Sequence, residues 1–168
     1  MGPERPDAPT LDELEEQADA AADFVEELLT RMDIDAIAEP NPHEGHMYVD
    51  ILDGPEEEMS LLIGRHGQTL DAIQEVMRMA VGRRLDQRIR VIVDVEDYRK
   101  RREARLGEHA REIAERVRES GREEELEPMN SYERKLVHDA AADIDGVETE
   151  SRGVDPGRYV VILPASSS

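Results

Sequence analysis

The sequence predicts an α+β protein made of two successive modules. The first has the element order α-β-β-α-α-β, and the second, smaller one packs a helix on short strands. Three observations carry that expectation. Apolar residues recur at helical spacing over 10–32 and 70–80 and alternate over 47–51 and 88–95. Gly64 and Gly67 separate two helical runs inside this first block. From residue 98 onward a long charged helix, a capped helix and a turn-rich hairpin follow one another.

Taken in order, residues 1–9 are polar, contain Pro3, Pro6 and Pro9, and read as a disordered tail. Thr10-Leu11-Asp12-Glu13 is a capping box that starts a helix. Its apolar stripe is Leu11, Leu14, Ala18, Ala21, Val25, Leu28 and Met32, and its opposite face is almost wholly acidic. Ile34 to Ala38 reads as a short strand closed by Pro40 and Pro42. Met47, Val49 and Ile51 alternate with Tyr48 and Asp50, the pattern of a half-buried strand. Gly54-Pro55 opens a short helix that runs to Ile63. Leu70, Ile73, Met77 and Ala80 form the stripe of the next helix, which is expected to end near Gly82. Ile89, Val91, Val93 and Val95 share one face of a strand over 88–95.

The second module begins with a helix from Tyr98 to Glu119, with Leu106, Ala110, Ile113 and Val117 as its stripe and Gly121 as its stop. Glu123 to Leu126 suggests a short strand. Asn130, with Glu133 three residues later, caps another helix that Gly146 closes. Val147 to Ser151 and Arg158 to Leu163 read as a hairpin around Gly153-Val154-Asp155-Pro156-Gly157. Residues 165–168 form a loose tail.

With 168 residues the chain has room for one or two small domains. It has no Cys, which excludes disulfides and thiolate metal sites. No stretch is apolar enough to span a membrane, and no signal peptide opens the chain, so membrane insertion is not expected and a cytoplasmic location is. His43, Glu44 and His46 have no recognised metal-ligand spacing, and neither metal nor cofactor is expected. A hydrolytic centre needs a nucleophile–base pair or a metal cluster, and no such set stands out, so catalysis is not expected.

Leu62-Ile63-Gly64-Arg65-His66-Gly67-Gln68-Thr69-Leu70 is the most informative stretch. Two glycines let the backbone turn sharply and let another chain approach closely. The helix that follows opens with free N–H groups and a positive dipole end, which suits a phosphate. This is the form of a KH loop, which clamps a short length of single-stranded backbone. A plain helix-turn-helix corner is the simpler reading, and the flanking elements speak against it. Arg65 supplies permanent charge, and His66 adds charge only when protonated. Ile63, Gln68, Leu70, Ile73 and Val91 line either the apolar groove beside the loop or the core beneath it. Replacing Gly64 and Gly67 together by Asp is expected to abolish binding and leave the fold intact.

The net charge of −20 argues against a nucleic-acid partner, but its distribution does not. Residues 1–60 hold 2 Lys/Arg against 19 Asp/Glu, whereas residues 61–122 hold 15 against 11. Residues 123–168 return to 4 against 11. Screening confines exposed charges to roughly 8 Å at physiological salt, so local sign decides contact with phosphate. Arg99, Lys100, Arg101 and Arg102, with Lys135 further on, are accessory basic positions, or are simply neutralised by Asp94, Glu96 and Asp97. The acidic face of residues 12–27 is either a solvated helix face, a docking site for a basic partner, or an RNA mimic.

Arg134 and His138 stand at i and i+4, on one face and away from the apolar arc of Leu136, Val137, Ala140 and Ile144. An Arg can fork onto a phosphate, and a His can bond a phosphate or stack on a base. A merely solvated face is the alternative. With its flanking residues, Leu126-Glu127-Pro128-Met129-Asn130-Ser131-Tyr132-Glu133-Arg134-Lys135-Leu136-Val137-His138 resembles the Arg-x-x-x-His motif of the R-3-H domain. Together with Val93-Asp94-Val95-Glu96-Asp97-Tyr98-Arg99 and the Gly64–Gly67 loop, it resembles the bacterial Jag/KhpB family of SpoIIIJ-associated RNA-binding proteins. That resemblance implies a type II KH domain over 10–97, an R-3-H domain over 98–164 and single-stranded RNA as partner. It further implies post-transcriptional control of cell growth, envelope synthesis or division, and in some relatives pairing with a small single-KH protein. Two departures stand out: only an acidic helix and a short tail precede the KH sheet, and the loop holds one Arg and one His instead of two strong cations. A protein-interaction scaffold using the same fold is the alternative function.

Overall fold

A computed structural model describes residues 8–166, so the expected tail over 1–9 and the end of the chain lie largely outside the described residues. The chain forms two compact units. One runs to Gly64 and resumes over Thr69–Asp97; the other comprises Arg65–Gln68 and the chain from Tyr98.

In the first unit α1 spans Leu11–Arg31, and the Thr10 capping box with Glu13 is formed as expected. Its buried face is Gln17, Ala18, Ala21, Ala22, Val25 and Leu29. Leu11 and Met32 are exposed, and Leu29 takes the core position expected of Leu28. The small alanines let the helix lie close to the sheet.

Strands β1 (Ile37–His43), β2 (His46–Leu52) and β3 (Ile92–Val95) form a sheet in that order, β1 antiparallel and β3 parallel to β2. β1 runs through both prolines that were expected to close it, pairing Pro40 with Val49 and Pro42 with Met47. Residues two apart direct their N–H to the same side, and on an edge strand that side is open, so neither missing donor breaks the ladder. β2 is central and buried from Met47 to Ile51, not half-buried.

Helix α2 spans Glu56–Ile63 and α3 spans Gln68–Leu85. α3 buries Leu70, Ile73, Gln74, Met77 and Val81; Ala80 is exposed, and the helix passes through Gly82 instead of ending there. The stretch before β3 alternates as expected, with Ile89 and Val91 buried, yet only Ile92–Val95 pairs as strand. Side-chain amides take the place of a neighbouring strand there. Gln74 donates to Val91 O at 2.9 Å and accepts from Val93 N at 2.6 Å. Gln17 accepts from Arg90 N at 3.0 Å. Leu62, Leu70, Met77, Val49 and Val93 are among the fully buried core residues. Burying each such side chain is worth about 1.5–3 kcal/mol.

In the second unit α4 spans Tyr98–Ser120 and ends at Gly121, whose φ of 68° favours glycine. Strand β4 (Glu124–Glu125) pairs with β6 (Tyr159–Pro164), which pairs with β5 (Val147–Arg152), all antiparallel. Helix α5 (Ser131–Ala142) starts with the Asn130–Glu133 capping box and stops four residues before Gly146. Ala110, Ile113 and Val117 of α4 pack with Val137, Ala140 and Ala141 of α5 and with Val160 and Ile162 of β6.

Candidate nucleic-acid interface

The Gly64–Gly67 loop is shaped by left-handed backbone. α2 ends with the Gly64 N–H donating to Ser60 O at 2.9 Å, and Gly64 then adopts φ 70° and ψ −178°. A Cβ on Gly64 would stand 2.1 Å from Thr69 Oγ1 and 2.9 Å from the Thr69 nitrogen. His66 follows at φ 54° and Gly67 at φ 75°, so three of four loop residues have positive φ. Arg65 is exposed on this turn. α3 begins immediately afterward, leaving its first N–H groups beside the loop.

The Arg65–Gln68 segment makes contacts within the second unit. A Cβ on Gly67 would lie 3.0 Å from Tyr98 Cε1. His66 Nδ1 is 3.5 Å from Glu127 Oε2, and Gln68 Nε2 donates to Pro156 O at 3.3 Å. Tyr98, Glu127 and Pro156 were not anticipated, because nothing local in the sequence ties positions this far apart.

The groove candidates separate. Leu70, Ile73 and Val91 are buried core residues, while Ile63 and Gln68 remain half-buried. Apolar side chains that do reach the surface of α2 and α3 are Leu61, Val76 and Met79.

Arg134 and His138 do not lie on an open helix face. The Arg134 side chain is only 8% exposed, and its Nη1 donates to Met129 O at 2.8 Å and to Asp155 Oδ1 at 3.1 Å. His138 is half-buried against β5, with Nδ1 2.6 Å from Thr149 Oγ1 and Nε2 3.0 Å from Ser151 Oγ. Burial, then the charge of Arg134, pushes the His138 imidazole below its ordinary pKa, with Asp139 opposing. A neutral imidazole satisfies both hydroxyls by donating from one nitrogen and accepting at the other. The helical wheel separates the pair from the apolar arc correctly; it does not show that a hairpin covers this second face.

The accessory basic positions also divide. Arg102 is an internal strut, bonded to Glu133, to Tyr98 Oη at 3.3 Å and to Pro128 O at 3.4 Å. Arg99 and Lys100 are half-buried and engaged, and Lys135 is exposed but paired with Asp139 at 2.8 Å. Arg101 is exposed. A cavity of about 450 Å³ runs beside α4, lined by Arg102, Arg105, His109, Glu112, Leu126 and Glu127 among others. Arg105 and His109 continue the helical spacing from Arg102, a signal present in the sequence.

His43, Glu44 and His46 sit exposed at the β1–β2 hairpin, with His43 Nε2 3.9 Å from Glu44 Oε2. Among the described residues, three potential metal-ligand atoms come within 4.8 Å of one another at Asp50, Asp94 and Asp97. Asp50 and Asp94 are register partners on β2 and β3, and Asn41 Nδ2 donates to Asp50 at 2.6 Å. No described helix is long and apolar enough to cross a membrane.

Residues 18–95 match the KH domain of KhpA/KhpB, and residues 105–164 match the R-3-H domain. The RNA-binding protein KhpB of Clostridium symbiosum is 38% identical over 146 residues, covering 86% of this chain and 64% of the relative. That of Lactiplantibacillus plantarum is 41% identical over 102 residues, covering 61% of this chain and 32% of the relative. That of Streptococcus pneumoniae is 30% identical over 150 residues, covering 89% and 45%. The chain thus spans less than two thirds of the length of each of these relatives.

Proposed function

We propose that this member of the KhpB family, its KH domain followed by an R-3-H domain, binds single-stranded RNA through both. The KH module over 10–97 holds about four unpaired nucleotides, with Gly64 to Gly67 against their backbone. Arg65 and the first N–H groups of α3 meet the phosphates, with His66 beside them. Ile63 and Gln68 border the bases. The R-3-H module over 98–164 meets an adjacent stretch through Arg134, with His138 holding β5 in place, and Arg101 extends the basic surface. Two weak sites on one chain reinforce each other by effective concentration. Its place of action is the cytoplasm, and its role is post-transcriptional control of growth, envelope synthesis or division. Neither matched domain is an enzyme family, and no catalysis is proposed.

The observation that carries this reading is the loop itself: a bulk-free, left-handed turn that displays Arg65 directly before a helix N-terminus. Fluorescence anisotropy with a short unstructured RNA at two salt concentrations tests it. The expected result is salt-sensitive affinity that weakens in Arg65→Ala, with the slope of log K against log salt reduced by about 0.7. Salt-independent binding, or an unchanged slope in the folded variant, would overturn it.

A second reading, a protein-docking module, is favoured by the exposed Leu61, Val76 and Met79. A small single-KH protein is the partner to try. A complex that survives RNase and is lost in Val76→Ser/Met79→Ser would support it.

A further inference from the structure

We propose that the β5–β6 turn is a built-in competitor for RNA, with the Asp155 carboxylate holding Arg134 in the place a backbone phosphate takes. This rests on the RNA reading above and adds to it a residue that limits affinity. Carboxylate and phosphate oxygens are interchangeable acceptors for a guanidinium, so one must leave for the other to bind. The two sides of the pair differ in how firmly they are held. Arg134 is buried in α5 and anchored by Met129 O at 2.8 Å, so the cation stays in place. Asp155 is 68% exposed and sits in the turn between Arg152 and Tyr159, next to Val154, which is 82% exposed. The carboxylate can therefore swing into water while the guanidinium remains.

The location matters as much as the pairing. The same turn offers Pro156 O to Gln68, at the end of the Gly64–Gly67 loop. One short exposed segment thus touches a residue from each motif assigned to RNA. An RNA strand that engages both, its bases at Gln68 and its backbone at Arg134, would displace the turn from both. The buried position of Arg134, which by itself argues against a phosphate contact, becomes consistent with one if the phosphate takes the place of the exposed Asp155 carboxylate.

The test compares four proteins with a short unstructured RNA by fluorescence anisotropy: wild type, Asp155→Asn, Asp155→Ala and the control Asp145→Asn. Asp145 is an exposed carboxylate of the same unit and removes the same charge. Asn keeps an acceptor oxygen for Arg134, so Asp155→Asn is expected to fold, and circular dichroism with thermal unfolding verifies each variant. The expected result is affinity raised about two- to fivefold in both Asp155 variants, with little change in Asp145→Asn. An equal gain in the control would show a net-charge effect and overturn the proposal, as would RNA binding in the wild type with no gain in either Asp155 variant. Binding by none of the four proteins would instead overturn the RNA reading, and the competitor with it.

Discussion

Glu133 uses its two oxygens for two different contacts: Oε2 accepts the Asn130 N–H at 3.1 Å, closing the α5 capping box, while Oε1 accepts from Arg102 Nε on α4. The side chains are 12% and 8% exposed for Arg102 and Glu133. Burial pulls the guanidinium pKa down, but Glu133 and Tyr98 outweigh it, and the net shift is upward. Removing one partner of a buried pair strands the other charge, at a cost of about 3–5 kcal/mol. Glu133→Ala should therefore destabilise the second unit by about 3 kcal/mol or more, measured by urea unfolding. Glu133→Gln retains a side chain that closes a capping box and should cost less. Equal losses in the two variants would mean that the charge contributes nothing.

His138 makes stability depend on pH. Burial and the Arg134 charge depress its pKa below the ordinary 6.5. Between the folded and unfolded values the unfolded chain binds more protons, so stability is full above pH 6.5 and is lost as pH falls through the folded value. The slope from one such group is at most about 1.4 kcal/mol per pH unit. His138→Gln removes it. The difference between wild-type and variant unfolding free energies at pH 7.5, 6.5 and 5.5 should therefore shrink or reverse toward acid. Parallel profiles would sink the assignment, and taking the difference cancels the other histidines.

The element order and both helix caps were legible in the sequence, because periodicity and capping are local signals. What was not legible depends on neighbours. The prolines of β1 look like strand breakers until the sheet order places that strand at an edge. Tyr48 and Asp50 look solvent-facing until β2 proves central. Residues 88–91 alternate as a strand does, but the amides of Gln17 and Gln74 partner them instead of a strand. For the candidate site, the two glycines bracket a tight turn as their spacing suggests, with Arg65 exposed on it and Gly67 buried beneath. Arg134 and His138 share a face as their spacing requires, yet Asp155, Thr149 and Ser151, which hold them, come from a hairpin 11 to 21 residues away.

The two loop glycines should not tolerate substitution equally, and this corrects the expectation that acidic replacements leave the fold intact. At Gly64 a side chain meets a backbone conformation of φ 70° and ψ −178°, and also the Thr69 backbone nitrogen at 2.9 Å, which cannot rotate away. The strain alone is of order 1–3 kcal/mol, so Gly64→Ala should cost about 3 kcal/mol or more with the clash. At Gly67 the φ of 75° also favours glycine, and a side chain there costs about 1–2 kcal/mol. The nearest obstacle there is the Tyr98 ring edge at 3.0 Å, a side chain able to shift. Gly67→Ala should thus be the milder change and be partly relieved by Tyr98→Ala, whereas Thr69→Ala should relieve Gly64→Ala only slightly. Urea unfolding of the four single and two double variants decides this. A Gly64→Ala protein as stable as wild type would refute the loop geometry. If the costs are as large as expected, the charge variant Arg65→Ala, not a glycine replacement, separates loss of RNA contact from loss of fold.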